Sequence, residues 1–262
     1  MSVFVTLCDR NYYPRALRTI RDLRMVWDGD IVLITIGFQA DSGLNIIEKP
    51  FDNVPMNLPK IWETHPIRRM DDERHTKKLC QFNKLHVFDP YFKQWNRVVF
   101  VDAGMRVFNV KHLLEMDCTG IMAPDDSAPY DNGNRFGTQI DLNANPEINK
   151  KIEHFLNRDI AEVGSSNYFM NCIWMYNTSI LDIVSSEEMI KGIDEFPICL
   201  TNEMALMNLY LHFKYNLWQV MPERVDSKYL YGWCELNYRE RPDYHQFCFL
   251  KYPVSISIEN DP

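Results

Sequence analysis

The chain has 262 residues, 46% hydrophobic and 24% charged, a balance that fits a globular protein with one large α/β domain or two small ones and excludes a disordered or fibrous chain. A net charge of -8 excludes the basic footprint of bulk nucleic-acid binding, although a nucleotide needs only a local cationic patch. Seven cysteines, an odd number with no CxxC pair, speak for reduced thiols and against a disulfide framework.

Val3-Phe4-Val5-Thr6-Leu7 reads as a first strand and not as a leader peptide. No apolar run is long enough to span a bilayer, so the expected compartment is cytoplasmic. Pro14 then sits near a helix start, and Ala16, Leu17, Ile20 and Leu23 form an apolar stripe with Arg15, Arg18, Arg21 and Arg24 around it. Ile31 to Ile36 is a second strand followed by Gly37, which makes the opening β-α-β and favours a parallel sheet.

Phe51 to Met70 has prolines and little periodicity and reads as an irregular excursion. A helix is predicted from about His75 to Phe88, with Leu79, Phe82, Leu85 and Phe88 on one side. Arg97 to Gly104 follows as an apolar strand that ends abruptly in Asp102, Ala103 and Gly104. Val107 to Leu114 reads as a short strand and turn, Gly120 to Asp125 as a strand and its end, and Asp126 to Asn145 as a loop. Ile148 to Leu156 reads as helix, Tyr168 to Tyr176 as a buried strand interrupted by Asn171, Asn202 to Phe213 as helix and Leu217 to Val220 as strand. The C-terminal third is rich in aromatics, and neither a repeat nor an interdomain linker is visible, so residues 1–262 are read as a single domain.

Asp102 is the foremost candidate for chemistry. Open α/β sheets bind ligands at the C-terminal ends of their strands, and an unpaired buried carboxylate there is costly, so Asp102 holds either a cation or a polar ligand group. Its competing role is a turn cap. His245 and Lys251 pair a metal-ligating imidazole with an ammonium suited to a diphosphate, although a histidine among aromatics is commonly a core residue. Thr6 and Leu7 lead from the first strand to Tyr12 and Tyr13, which either stack on a base or pack the first helix. Lys84 lies among apolar neighbours, and Asp125, Asn171 and Glu203 border apolar segments, where each alone reads as structural.

In order and spacing these pieces resemble the glycogenin-like glycosyltransferases of family 8, which have the GT-A fold. Val5-Thr6-Leu7 through Tyr13 resembles that family's opening strand and uracil-stacking tyrosine, and Asn83-Lys84-Leu85-His86 its Thr-Lys-Leu-His. Val99 to Gly104 resembles the Asp-x-Asp strand, Ala123-Pro124-Asp125 an Ala-Pro-Asp stretch, and Phe169 to Tyr176 the Phe-Asn-Ser-Gly strand, with Asn171 and Cys172 at its Ser and Gly places. Glu203 to Asn208 resembles Asp-Gln-Gly-Leu-Leu-Asn, and His245 to Lys251 the terminal His-x5-Lys.

The resemblance implies an α/β fold of GT-A type, a Rossmann-like and mostly parallel sheet flanked by helices. It implies an enzyme that moves a hexose, glucose or galactose, from a UDP-sugar to a hydroxyl of a glycan or protein-linked sugar with retention of configuration. It assigns donor contacts to Thr6, Leu7, Tyr13, Lys84, Asp102, Ala103, Gly104, Asn171, His245 and Lys251. Asp102 and His245 would hold Mn²⁺ or Mg²⁺, and Glu203, Lys251 and Asp125 would serve the reaction. Neither nucleic acid nor a membrane span is expected, and a homodimer stays open.

The sequence departs from the family at four places. Gly104 replaces the second Asp of Asp-x-Asp, Glu203-Met204 replaces Asp-Gln, and Cys248 replaces the glycine of the terminal motif. Losing one carboxylate weakens a site for a hard cation, which takes several oxygen ligands. Arg106 or Lys251 are then candidates to supply the missing positive charge. A degenerate member that binds a nucleotide sugar or glycan without turning it over is the alternative.

Overall fold

The computed structural model describes residues 1–67, 74–126, 134–233 and 247–251, with the backbone alone described at Arg74, His75, Trp233 and Lys251. The apolar, β-branched runs form a seven-stranded sheet from β1 (Ser2–Cys8), β2 (Asp30–Ile36), β3 (Ile47–Phe51), β4 (Arg97–Val101), β6 (Ile121–Ala123), β7 (Ile173–Asn177) and β8 (Trp218–Val220). Their order is β3-β2-β1-β4-β7-β6-β8, and every strand except β7 runs the same way.

A mostly parallel sheet is covered on both faces, which is why its strands are apolar throughout and do not alternate. Val3, Val5, Ile34, Val98 and Phe100 join one core, where Trp174 stacks between Phe88 and Phe100 at 5.1 and 4.9 Å. Phe4, Leu33, Val99, Val101 and Ile173 join the other, closed by Ala16, Ile20 and Leu23 of α1 (Tyr13–Val26). The spacing of those three residues is the helical stripe read from the sequence.

A second, four-stranded sheet, β5-β11-β10-β9, is made of β5 (Met105–Val107), β9 (Arg224–Val225), β10 (Lys228–Trp233) and β11 (Phe247–Lys251). Among the described residues no helix is long and apolar enough to cross a membrane. The six described cysteines, Cys8, Cys80, Cys118, Cys172, Cys199 and Cys248, form no disulfide.

Two expectations change in detail. The stretch after Phe51 holds a helix, Leu58–Thr64, and is preceded by β3, a half-buried edge strand whose Ile-Glu-Lys-Pro-Phe sequence lacks the apolar run of its neighbours. The helix predicted at His75 to Phe88 is a single α-turn, Arg74–Lys77, followed by a ten-residue 3₁₀ helix, Leu79–Phe88. The apolar positions 79, 82, 85 and 88 recur every three residues, which is the 3₁₀ period and not the α period.

Candidate active site

The sheet reverses its strand order at β1: β2 lies on one side and β4 on the other, both parallel to it. The carboxyl ends of β1 and β4 therefore splay at a topological switch point, where open α/β sheets bind ligands. A cleft of about 380 Å³ lies there. It is lined by Leu7, Cys8 and Asp9 at the end of β1, by Tyr12 and Arg15 at the start of α1, by Lys77, Lys78, Gln81 and Lys84, and by Asp102, Ala103 and Gly104 after β4.

The turn after β4 is held in shape from α1. The Gly104 amide donates to Thr19 Oγ1 at 3.0 Å, and the Thr19 hydroxyl donates to the Met105 carbonyl at 2.9 Å. Gly104 has φ +97, a backbone conformation that L side chains rarely adopt. A Cβ there would also lie 3.6 Å from Arg15 Cδ. The departure from Asp-x-Asp thus sits in a turn built around glycine.

The centre of the site is an ammonium between two carboxylates. Lys84 Nζ lies 2.9 Å from Asp102 Oδ1 and 3.0 Å from Glu203 Oε1, and it donates to the Asn171 carbonyl at 3.4 Å. The Asn171 amide donates to the same Glu203 Oε1 at 2.9 Å. Glu203 is 1% exposed, and its Oε2 has no hydrogen-bond partner among the described residues. A buried carboxylate costs several kcal/mol unless paired, and Lys84 supplies that partner.

The residue before Glu203 completes the frame. Asn202 has φ 54, ψ -125, a sparsely populated region costing roughly 1–3 kcal/mol. Its side-chain amide donates to Lys78 O and Gln81 Oε1, both at 3.1 Å, and so ties the Glu203 helix to the cleft wall. Burial pushes the thiols lining the cleft upward, Cys8 to about 12, so neither Cys8 nor Cys80 is a thiolate nucleophile near neutrality.

Of the residues singled out in the sequence, Leu7, Lys84, Asp102, Ala103 and Gly104 line the cleft, and Asn171 and Glu203 lie behind Lys84. Thr6 is fully buried within β1, and its hydroxyl has no hydrogen-bond partner among the described residues. Tyr12 lines the cleft, whereas Tyr13 packs edge-on against Phe38 at 5.5 Å and is not among the lining residues. Asp125 is buried and accepts from the Asn167 amide at 3.0 Å, again away from the lining. Arg106 is held by Asp22 at 2.6 Å and also lies away from the lining.

Lys251 is described by its backbone, which pairs with Met105, three residues past Asp102. That register brings the last residue of β11 beside the Asp102 turn. His245 lies outside the described residues. Sequence reasoning missed Asp9, Arg15, Lys77, Lys78, Gln81, Thr19 and Asn202 as parts of the site. Only Asn202 carried a local signal, since Asn is enriched at positive φ.

Of the two residues that the resemblance assigns to a divalent cation, Asp102 is described and His245 lies outside the described residues. Asp102 is the one carboxylate at the position the resemblance assigns to metal, and its Oδ1 is charge-paired with Lys84. No group of three His, Cys, Asp or Glu comes together among the described residues, whereas hard cations take six or more oxygen ligands, several supplied by side chains.

No family model and no curated protein matches the sequence. Solved structures do match. A galactosyltransferase, LgtC, in complex with donor and acceptor sugar analogs, superposes with a TM-score of 0.59 at 12% identity, over 96% of this chain and 87% of that one. The bifunctional glycosyltransferase WbbM matches with a TM-score of 0.56 at 12% identity, over 96% of this chain and 45% of that one. The glycosyltransferase GlyE of Streptococcus pneumoniae matches with a TM-score of 0.50 at 11% identity, over 84% of this chain and 45% of that one. At this level of identity what is shared is the fold, and the chain has the mixed α/β, largely parallel architecture of the GT-A glycosyltransferases.

Proposed function

We propose that this chain is a glycosyltransferase that takes a hexose, glucose or galactose, from a UDP-sugar and passes it to a hydroxyl of a glycan or protein-linked sugar, with retention of configuration. One observation carries the reading: the cleft at the β1/β4 switch point holds Asp102 at the end of β4 and is ringed by Arg15, Lys77, Lys78 and Lys84. Such a site suits an anionic, hydroxyl-rich ligand. LgtC, whose fold it shares, is a galactosyltransferase seen with donor and acceptor sugar analogs.

In this reading the base rests against Tyr12, which lines the cleft beside Tyr13 at the start of α1. The carboxylate of Asp102 and the ammonium of Lys84 orient the donor. As the bond from the sugar's anomeric carbon to the diphosphate oxygen breaks, the oxygen keeps the electron pair and UDP leaves as an anion. The acceptor oxygen bonds to the same carbon on the same face and gives up its proton to the departing diphosphate oxygen. Cationic groups already in place where that charge develops lower the barrier without reorganisation. Lys251, carried by β11 to the Asp102 turn, is proposed to face the departing diphosphate. Glu203 acts through Lys84, as a positioning residue.

The test is incubation of the purified protein with a panel of UDP-sugars and hydroxyl acceptors, following UDP release and the anomer formed by NMR. Transfer from UDP-glucose or UDP-galactose is expected. Neither turnover nor UDP binding, with Mn²⁺ present, would remove the proposal. The burial of Glu203 behind Lys84 favours one second reading, a binding protein without turnover. Calorimetry that detects UDP-sugar binding while no acceptor supports transfer would select it.

A further inference from the structure

Two consecutive residues of one turn grip the same 3₁₀ helix, Leu79–Phe88, at two points. The Asn202 amide donates to the Lys78 carbonyl, just before that helix, and to Gln81 Oε1 in its first turn, both at 3.1 Å. Glu203 Oε1 takes the Lys84 ammonium one turn beyond Gln81, at 3.0 Å. We infer that Asn202 is a positioning residue: its backbone and its amide set where the Glu203 carboxylate meets Lys84, and through that pair they set the Lys84 and Asp102 groups that orient the donor. The inference rests on the nucleotide-sugar reading above, in which Glu203 acts through Lys84, and names the residue that aims Glu203.

Two further observations carry it. The first is the backbone. Asparagine at positive φ ordinarily occupies the left-handed region, where ψ is positive too. Asn202, at φ 54 and ψ -125, lies outside that region. It sits instead close to the mirror image of the first central position of a type II turn, a place that glycine dominates. The Met204 amide closes this turn on the Thr201 carbonyl at 3.3 Å. Strain of this kind persists only where the surroundings over-determine it, and it gathers at functional sites. Asn202 is fully buried, so contacts inside the molecule hold it there.

The second is that the far end of the short helix Glu203–Met207 is fixed as well. Asn208, also fully buried, accepts from the Phe169 amide and donates to the Phe169 carbonyl, both at 2.9 Å, and donates to the Met204 carbonyl at 2.9 Å. Two asparagines therefore bracket the helix. One ties it to the cleft lining at Lys78 and Gln81, the other to the backbone two residues before Asn171. With the far end held, a change at residue 202 turns Glu203 instead of shifting the helix as a whole. The Asn171 amide, at 2.9 Å from the same Glu203 Oε1 that meets Lys84, makes that orientation matter to both partners.

The experiment compares the full chain with Asn202→Gly, Glu203→Gln and the double variant. Glycine adopts the Asn202 backbone without strain, so Asn202→Gly deletes the amide and keeps the turn, and circular dichroism checks that it folds. Asn202→Asp, of the same size but with no N–H to donate, repeats the test should the glycine variant not fold. In titration calorimetry UDP-glucose and UDP-galactose are expected to bind Asn202→Gly at least about fivefold more weakly than the parent. In the Glu203→Gln background the same substitution is expected to change affinity by less than about twofold, because its effect runs through that carboxylate. Carbon-13 NMR of labelled glutamate carboxylates, with Glu203 identified by its loss in Glu203→Gln, is expected to show the Glu203 signal displaced in Asn202→Gly. An unmoved carboxylate signal, an unchanged affinity, or equal losses in both backgrounds overturns the inference and leaves the glycosyltransferase reading standing. UDP-sugars that bind no form of the protein remove the nucleotide-sugar reading and the inference with it.

Discussion

Two clusters of carboxylates, each with one buried member, lie near strand ends in this molecule, and they are held by different partners. At the end of β4, Asp102 and the nearby Glu203 share the Lys84 ammonium. Past β6, Asp125 accepts from the Asn167 amide, and Asp126 accepts from the Tyr168 hydroxyl, which in turn accepts from Gln139 at 2.8 Å. Neutral groups, an amide and a phenol, donate to the second cluster, and burial together with Asp126 pushes the Tyr168 hydroxyl upward, so it stays a donor. The first cluster reaches the cleft through Asp102 and Lys84, whereas Asp125 and Asp126 are not among the residues that line it. The difference teaches that an acidic residue at a strand end marks a ligand site when a buried cation partners it beside open space. One satisfied by amides and a phenol is architecture.

The largest effect expected from this contrast is at Lys84. Lys84→Met leaves the Glu203 carboxylate, 1% exposed, without its ammonium and should cost about 3–5 kcal/mol in urea unfolding. Adding Glu203→Gln removes the stranded charge and should recover more than half of that loss. A single-variant cost under about 1 kcal/mol would show that the ion pair does not hold the site together.

In the neutral cluster Tyr168→Phe should cost less, about 1–3 kcal/mol, through the two hydrogen bonds it drops. UDP affinity should stay within about twofold, because Tyr168 lies away from the cleft lining. A loss of UDP binding of about tenfold or more in this variant would erase the distinction between the two clusters. Thr19→Val keeps the shape of the side chain but deletes its bonds to Gly104 and Met105. About 1–2 kcal/mol of stability should go, and UDP should bind more weakly, since the Asp102 turn loses its brace. Stability lost with unchanged UDP affinity would show that the brace serves the fold alone.

The smallest effect is one of pH. Burial, then the nearby Arg158, lowers His212 from its ordinary 6.5 to about 4. Burial also lowers His86. A histidine with a depressed value in the folded state binds fewer protons than the unfolded chain does. Its contribution is therefore intact above pH 6.5 and is lost as the pH falls toward 4. His212→Phe, which keeps the ring packed against Phe213 and Trp218, should flatten that decline by about 1 kcal/mol at mildly acid pH, measured as urea midpoints across the range. An unchanged slope would assign the acid sensitivity elsewhere.

Much of this was legible in the residues themselves. The runs Val3 to Leu7, Ile31 to Ile36 and Arg97 to Val101 announced a buried parallel sheet, because strands covered on both faces must be apolar at every position. The abrupt change to Asp102 and Gly104 marked where the chain leaves the core. The period of three at 79, 82, 85 and 88 also held the 3₁₀ helix, although it was read as an α-helix. Edge strand β3 escaped notice because an edge needs less apolar surface than a centre.

What tertiary structure alone decided is which charges meet. Lys84, Asp102, Asn171 and Glu203 span well over a hundred residues of sequence, and nothing local to any of them states that an ammonium lies between two carboxylates. The same holds for Arg15 beside Gly104 and for Lys251 registered on Met105. Hydrophobic periodicity is a short-range property and fixes elements. Charge compensation depends on distances between elements, and those exist only once the sheet has set its strand order.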